Sequence, residues 1–166
     1  MIVTGVLTAL AVVAPSASAM PGRMVKVASG HWNGEAWTLE VRDQVSGGNV
    51  AICYRMSSGT EGLGGSCGNF ILPRLAGAPE YGMTLADKIG GCPGTDYVVG
   101  PVVAKASDVD VTLSNGQTVR TRTIAPPAGL AQAIGFYVAR IPCGTQPTGA
   151  VGLSSARTIV ARFSGS

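Results

Sequence analysis

Apolar and polar residues alternate with period two in several short stretches of this chain. In residues 36–42, Trp37, Leu39 and Val41 fall on one side of an extended backbone and Thr38, Glu40 and Arg42 on the other, which is the pattern of a half-buried strand. Val50, Ile52 and Tyr54 alternate with Ala51, Cys53 and Arg55 in the next stretch. Residues 98–103 form a denser apolar run broken by Gly100 and Pro101, and that break predicts a bulge or a sheet edge. Further strands are expected around Val109, Val111 and Leu113, then over residues 117–124, 136–141 and 158–163. Helical periodicity is nearly absent: residues 84–87 suit one turn capped by Thr84, and residues 131–134 suit another, both too short to be stable alone. Many short strands with turns between them predict an all-β fold, a single immunoglobulin-like antiparallel β-sandwich.

The turn at Ser114-Asn115-Gly116 fixes which side chains oppose one another in the hairpin around it. A two-residue Asn115-Gly116 loop would pair Val111 with Arg120 and Val109 with Arg122, placing guanidinium groups on the apolar side. A three-residue loop, with Gly116 in the left-handed conformation, instead pairs Val111 with Val119 and Val109 with Thr121 inside. Asp110 then faces Arg120, and Asp108 faces Arg122, on the outside. Keeping arginine out of the core decides for the three-residue loop, because an uncompensated buried charge costs far more than any cross-strand pair contributes.

Residues 1–19 read as a secretory signal peptide. Residues 2–14 are almost wholly apolar, Pro15 and Ser16 break the run, and Ala17-Ser18-Ala19 supplies a small-residue cleavage site before Met20. No cation precedes Arg23, so either the signal is atypical or the true start lies upstream. The run is shorter than the roughly 20 residues that cross hydrocarbon, and Arg23 and Lys26 lie on the side that would be translocated. The mature chain, residues 20–166, is therefore expected to be one secreted domain with no transmembrane segment.

In an oxidising compartment the four cysteines are expected to form two disulfides. The preferred pairs are Cys53 with Cys67, which bracket a turn-rich loop over residues 57–65, and Cys92 with Cys143, which would tie the loop before Tyr97 to the end of the Phe136 strand. In the chain-entropy account they contribute about 3 and 4 kcal/mol. The cysteines show no CxxC spacing and His31 is the single histidine, so neither metal nor cofactor is expected.

Twelve basic and nine acidic residues give a net charge of +3, scattered without blocks. Nucleic acid is not an expected partner unless folding gathers the cations on one face. Aromatic residues make up 5% of the chain, too few for a broad stacking platform.

Gly64-Gly65-Ser66-Cys67-Gly68 matches the GxSxG expression of a nucleophile elbow, but no helix is expected after it, and His31 precedes Ser66 where the elbow order needs a later histidine. A reversed triad of His31, Asp43 and Ser66 would be compressed into one or two hairpins. Asp108-x-Asp110-x-Thr112 begins like a calcium loop, yet Leu113 stands where glycine is required and Val119 where the bidentate glutamate belongs. Glu35, Glu40, Asp43 and Asp96 are the carboxylates available for glycoside chemistry, and no spacing singles out a pair.

The succession Trp37-Thr38-Leu39-Glu40, Ile52-Cys53-Tyr54-Arg55, Gly65-Ser66-Cys67-Gly68, Val98-Val99-Gly100-Pro101-Val102, Val109-Asp110-Val111-Thr112-Leu113 with Asn115-Gly116, and Phe136-Tyr137-Val138-Ala139 resembles a broad group of exported bacterial immunoglobulin-like or fibronectin-like sandwich domains. That resemblance covers most of the mature chain and carries no catalytic residues. The Cys92-Pro93 step in a small two-disulfide domain is also similar to the secreted subtilisin-inhibitor family, from whose reactive site Gly94 and Thr95 depart.

The function expected is a non-enzymatic secreted or envelope-associated interaction module whose partner is a protein or an envelope component. A secreted protease inhibitor and a small secreted hydrolase are the alternatives. The candidate interaction loops are residues 57–68, with Ser57, Glu61 and Ser66, and residues 75–95, with Tyr81, Lys88 and the adjacent Arg74.

Overall fold

A computed structural model describes residues 23–32, 35–46, 49–58, 61–69, 88–89, 96–125, 128, 130 and 134–164. Within them the alternation at residues 36–42 is a strand with one buried face: Trp37, Leu39 and Val41 are buried, while Thr38, Glu40 and Arg42 on the other side are half-buried. It belongs to an antiparallel meander of β1 (Val25–Trp32), β2 (Glu35–Ser46), β3 (Asn49–Ser58) and β4 (Glu61–Asn69), hydrogen-bonded in chain order.

The second antiparallel sheet has seven strands: β5 (Lys88–Ile89), β6 (Asp96–Val103), β7 (Asp108–Leu113), β8 (Thr118–Ile124), β9 (Ile134–Ile141), β10 (Pro147–Leu153) and β11 (Ile159–Ser164). Their order across the sheet is β11-β10-β7-β8-β9-β6-β5. No helix occurs among the described residues, and the fold is all-β. Residues 84–87 and 131–133 lie outside the described residues, and Ile134 opens a strand.

Two cores result, and β6 and β9 contribute to both. Tyr97, Val99, Ile134, Phe136 and Val138 pack against Leu39, Val41, Ile52, Tyr54 and Met56 of the meander. From the other face of the same two strands, Val98, Val102, Tyr137, Ala139 and Ile141 pack against Val109, Val111, Leu113, Ala150 and Ala161. The second sheet therefore folds back on itself, with β8 at the bend. Its first part pairs with β7, while Thr123 and Ile124 pair with Tyr137 and Phe136 of β9. The hydroxyl of Thr121 donates to the carbonyl of Val138 at 2.8 Å and that of Thr123 to the carbonyl of Ala106 at 2.8 Å, tying the bend down. Tyr137 is fully buried; desolvation, with the nearby Tyr54, raises its pKa and keeps its hydroxyl neutral.

Gly100 and Pro101 make no bulge, since they pair in register with Tyr137 and Phe136. The edge alternative fits better. β5 flanks only Tyr97 and Val98, so Pro101, which has no N–H to donate, lies where β9 is the one strand beside β6 among the described residues.

The expected loop over residues 57–65 is instead a hairpin, with strand reaching Ser58 on one side and starting at Glu61 on the other. Cys53 and Cys67 are directly opposed in it, with Cα atoms 4.0 Å apart, and they form the expected disulfide. Strand register, not loop closure, brings them together. Cys92 lies outside the described residues.

Phe136 is fully buried at the meeting of the two sheets, so Phe136→Ala is expected to destabilise the protein by about 3–5 kcal/mol. Val25→Ala, at a position 39% exposed, is expected to change it by less than about 0.5 kcal/mol. Urea midpoints at constant m-value measure both, and similar shifts for the two would contradict this placement of the core.

Candidate functional site

With the apolar side chains turned into two cores, chemistry falls to the outward faces of the sheets. The hairpin from β7 to β8 shows how one of them is set. Gly116 has φ of 80°, its N–H donates to the carbonyl of Leu113 at 2.9 Å, and the Leu113 N–H donates to the carbonyl of Gln117 at 2.8 Å. The Gln117 N–H also donates to Oδ1 of Asn115 at 3.0 Å. This is the three-residue turn, and Val111 opposes Val119, Val109 opposes Thr121, Asp110 opposes Arg120 and Asp108 opposes Arg122, as the parity of the sequence requires.

Outside, Arg120 grips Asp110 in a two-pronged pair, Nε to Oδ1 and Nη2 to Oδ2, both 2.6 Å. Those hydrogen bonds are the main reason the Asp110 carboxyl lies below its ordinary pKa; partial burial opposes the shift, and the charges of Arg120 and Arg157 reinforce it. Asp108 accepts from the Ser107 hydroxyl at 3.0 Å. The two aspartates thus stand on a strand, with Asp110 engaged by arginine, and not in a cation-binding loop.

Neighbouring strands extend this face. Arg162 of β11 opposes Val151 of β10, Val151 opposes Asp110, and Asp110 opposes Arg120, so four strands contribute to one row. A shallow groove of about 220 Å³ lies beside that row, lined by Thr112, Thr148, Gly149, Val151, Arg162 and Phe163 among others.

The outward face of the meander carries a second set of charges. Lys26, Glu40, Arg55 and Gly65 share a row, and Arg55 bonds Glu40 through Nε at 3.1 Å and Nη2 at 2.5 Å. Arg42, Cys53 and Cys67 form the adjacent row, which places the disulfide on this outward side.

The residues singled out from sequence are distributed as follows. Ser57 lies on β3, Glu61 and Ser66 on β4, and Lys88 on β5, so these four are strand positions and not loop positions. Arg74 and Tyr81 lie outside the described residues. His31 and Ser66 are not brought together: β1 and β4 are the two outer strands of the meander, about 14 Å apart across three strand spacings. Along the strands, Ser66 shares the row of Tyr54 and Val41 while His31 opposes Ala36, five residues further along β2 or about 17 Å. Among the carboxylates, Glu40 is on the outward face bound to Arg55, whereas Asp96 is fully buried opposite Ile141, and the two do not converge.

Arg162, Thr148 and Gly149 were not singled out by sequence reading. Arg162 carried one usable signal, its alternation with Ala161 and Phe163 in an expected strand. No protein-family model, curated protein or solved structure matches this chain.

Because the folded-state pKa of Asp110 is lowered, its contribution to stability is present above the ordinary carboxyl value of 3.8 and is lost as pH falls through the lower native value. Asp110→Asn is expected to be less stable than the parent at neutral pH, and the gap is expected to close under acid. Denaturant unfolding over a pH series measures it, and a gap independent of pH would contradict the pairing.

Proposed function

We propose that this chain is a non-enzymatic, secreted or envelope-associated interaction module. The observation that carries this reading is the rigid outward face of β11, β10, β7 and β8, where arginine, aspartate and threonine side chains are held in register by strand pairing and not by mobile loops. Recognition surfaces of this kind lose little conformational entropy on binding. A disulfide at Cys53 and Cys67 agrees with an oxidising compartment, as does the signal-like character of residues 1–19.

Two disulfides belong to the same proposal. With Cys53 joined to Cys67, the sequence leaves Cys92 and Cys143 as the second pair. The immunoglobulin-like resemblance is carried only as far as two packed antiparallel sheets, because the meander's four strands follow one another in chain order, whereas sandwiches of that class interleave theirs.

Expression from native upstream DNA is expected to give protein in the medium beginning at Met20. Non-reducing digestion and mass spectrometry are expected to find Cys53 joined to Cys67 and Cys92 joined to Cys143, with no free thiol. A product retaining residues 2–14 in the membrane would contradict the secreted reading, and a crossed cysteine map would contradict the strand register that opposes Cys53 and Cys67.

A fluorophosphonate probe distinguishes the module from a serine hydrolase. No labelling is expected in the parent or in Ser66→Ala. Stoichiometric labelling at Ser66 that also requires His31 would overturn the module and make the hydrolase the better reading.

A further inference from the structure

Arginines scattered through the C-terminal part of the sequence come together on one face. Arg162 and Arg120 stand in the same row across β11, β10, β7 and β8, and Arg122 opposes Asp108 two residues further along β8. Arg157, in the turn before β11, acts on Asp110 through its charge. Arg120 is committed to Asp110. Arg122 and Arg162 are exposed and form no ion pair among the described residues, so two guanidinium groups on this face have hydrogen-bonding capacity to offer a ligand.

The groove beside Arg162 has a chemical character of its own. Gly149 opposes Thr112 at the floor of the groove, where a Cβ would stand 3.3 Å from the backbone carbonyl oxygen of Phe163. Val151 supplies apolar surface, while Thr112, Thr148 and Arg162 surround it with hydroxyls and a guanidinium; Phe163 borders the groove from the inward row of Ala150 and Val111, and its side chain packs on the core. The Thr148 hydroxyl donates to the carbonyl of Thr112 at 3.3 Å and can still accept. Its volume, about 220 Å³, is below the roughly 300–1,000 Å³ of a pocket that encloses a whole small molecule, so it suits one unit of a longer chain.

An apolar floor with hydroxyls and one guanidinium at the rim is complementary to a sugar ring bearing a carboxylate. The C–H face of the ring covers Val151, the ring hydroxyls meet Thr112 and Thr148, and the carboxylate meets the planar fork of Arg162. About 14 Å away, across three strand spacings, lie Arg120 and then Arg122, within reach of a carboxylate further along the same polymer. Asp108 and Asp110 interrupt the arginines, so the face is suited to charge at intervals and not to a backbone charged at every unit. Phe163, the one aromatic residue bordering the groove, packs its side chain on the core, so the groove provides no run of stacking sites for nucleic-acid bases.

We propose that the outward face of β11, β10, β7 and β8 binds a linear polysaccharide in which uronate sugars alternate with neutral ones, seating one uronate in the Gly149 groove against Arg162 and meeting a second with Arg122. This deepens the module reading and rests on it.

The test is titration of a fluorescently labelled hyaluronan octasaccharide with the purified full-length protein, read by fluorescence polarisation. Saturable binding that weakens with added salt is expected. Arg162→Gln and Arg122→Gln are each expected to weaken it about tenfold, the scale of one lost charge-assisted hydrogen bond. Gly149→Val, which fills the groove and removes no charge, is expected to weaken it comparably; if melting shows that it does not fold, Thr112→Val at the rim takes its place. Arg55→Gln, on the outward face of the other sheet, is expected to leave binding unchanged.

Absence of saturable binding overturns the proposal, as does binding that ignores the arginine variants. Binding that responds to the arginines but not to the groove variants, or that is matched by dextran sulfate, polyglutamate or a single-stranded oligonucleotide, also overturns it, because those results describe general attraction to polyanions. Loss of glycan binding in a protein that still sediments with washed cell envelopes removes this ligand and leaves the module. Conversion of the octasaccharide to shorter products removes the module itself.

Discussion

The fold depends on burying both faces of one strand pair. β6 and β9 run antiparallel from Asp96 opposite Ile141 to Val103 opposite Ile134, and alternate side chains along them enter different cores. Tyr97 and Val99 face the meander, whereas Val98 and Val102 face β7, β10 and β11. A strand buried on both sides has no polar face to show, which is why residues 97–103 and 134–139 read as nearly continuous apolar runs. Neither core can open without exposing one side of this pair, so the two packed layers are energetically joined through it.

That arrangement sets what the other strands are free to do. Because β6 and β9 fill the middle, the meander and the β11-β10-β7-β8 half of the second sheet each need only one apolar face. Their remaining faces carry the charges. In β7 and β8 the division is strict: Val109 and Val111 are fully buried, while Asp110 and Arg120 on the opposite side bond each other. Turn geometry enforces it, since a one-residue change of register would bring Arg120 and Arg122 inside. The functional reading and the stability of the hairpin therefore have the same origin, the exclusion of guanidinium groups from the core.

Legibility of the elements followed the strength of local alternation. β2, β3, β7 and β8 have it, and Leu39, Val41, Ile52, Tyr54, Val109 and Val111 are buried as that alternation predicts. β1 does not, because its register shifts between Lys26 and Ala28, and parity on one side of a bulge is opposite to parity on the other. The glycines of β4 resemble loop punctuation, yet Gly65 lies so close to the Tyr54 carbonyl oxygen that a side chain there would collide with the backbone. In β10, Gly149 and Gly152 dilute the pattern in the same way. Glycine had a packing reason in such strands, and that reason exists only once the neighbouring strand is in place.

The sequence by itself determined the all-β class, the parity of the β7 and β8 hairpin and the outward placement of Asp110 and Arg120. Each of these follows from alternation or turn chemistry, which act over a few residues, whereas the pairing of Cys53 with Cys67 came from the register of β3 and β4. Only the tertiary structure decided that β10 lies between β7 and β11, and with it that Arg162 joins Arg120 and Arg122 on one face beside a groove floored by Gly149. Tertiary structure also separated His31 from Ser66 by assigning them to opposite edges of one meander. Register is a local property written in side-chain alternation. The order of strands across a sheet is fixed by which apolar faces can be buried together, and that choice involves the whole chain at once.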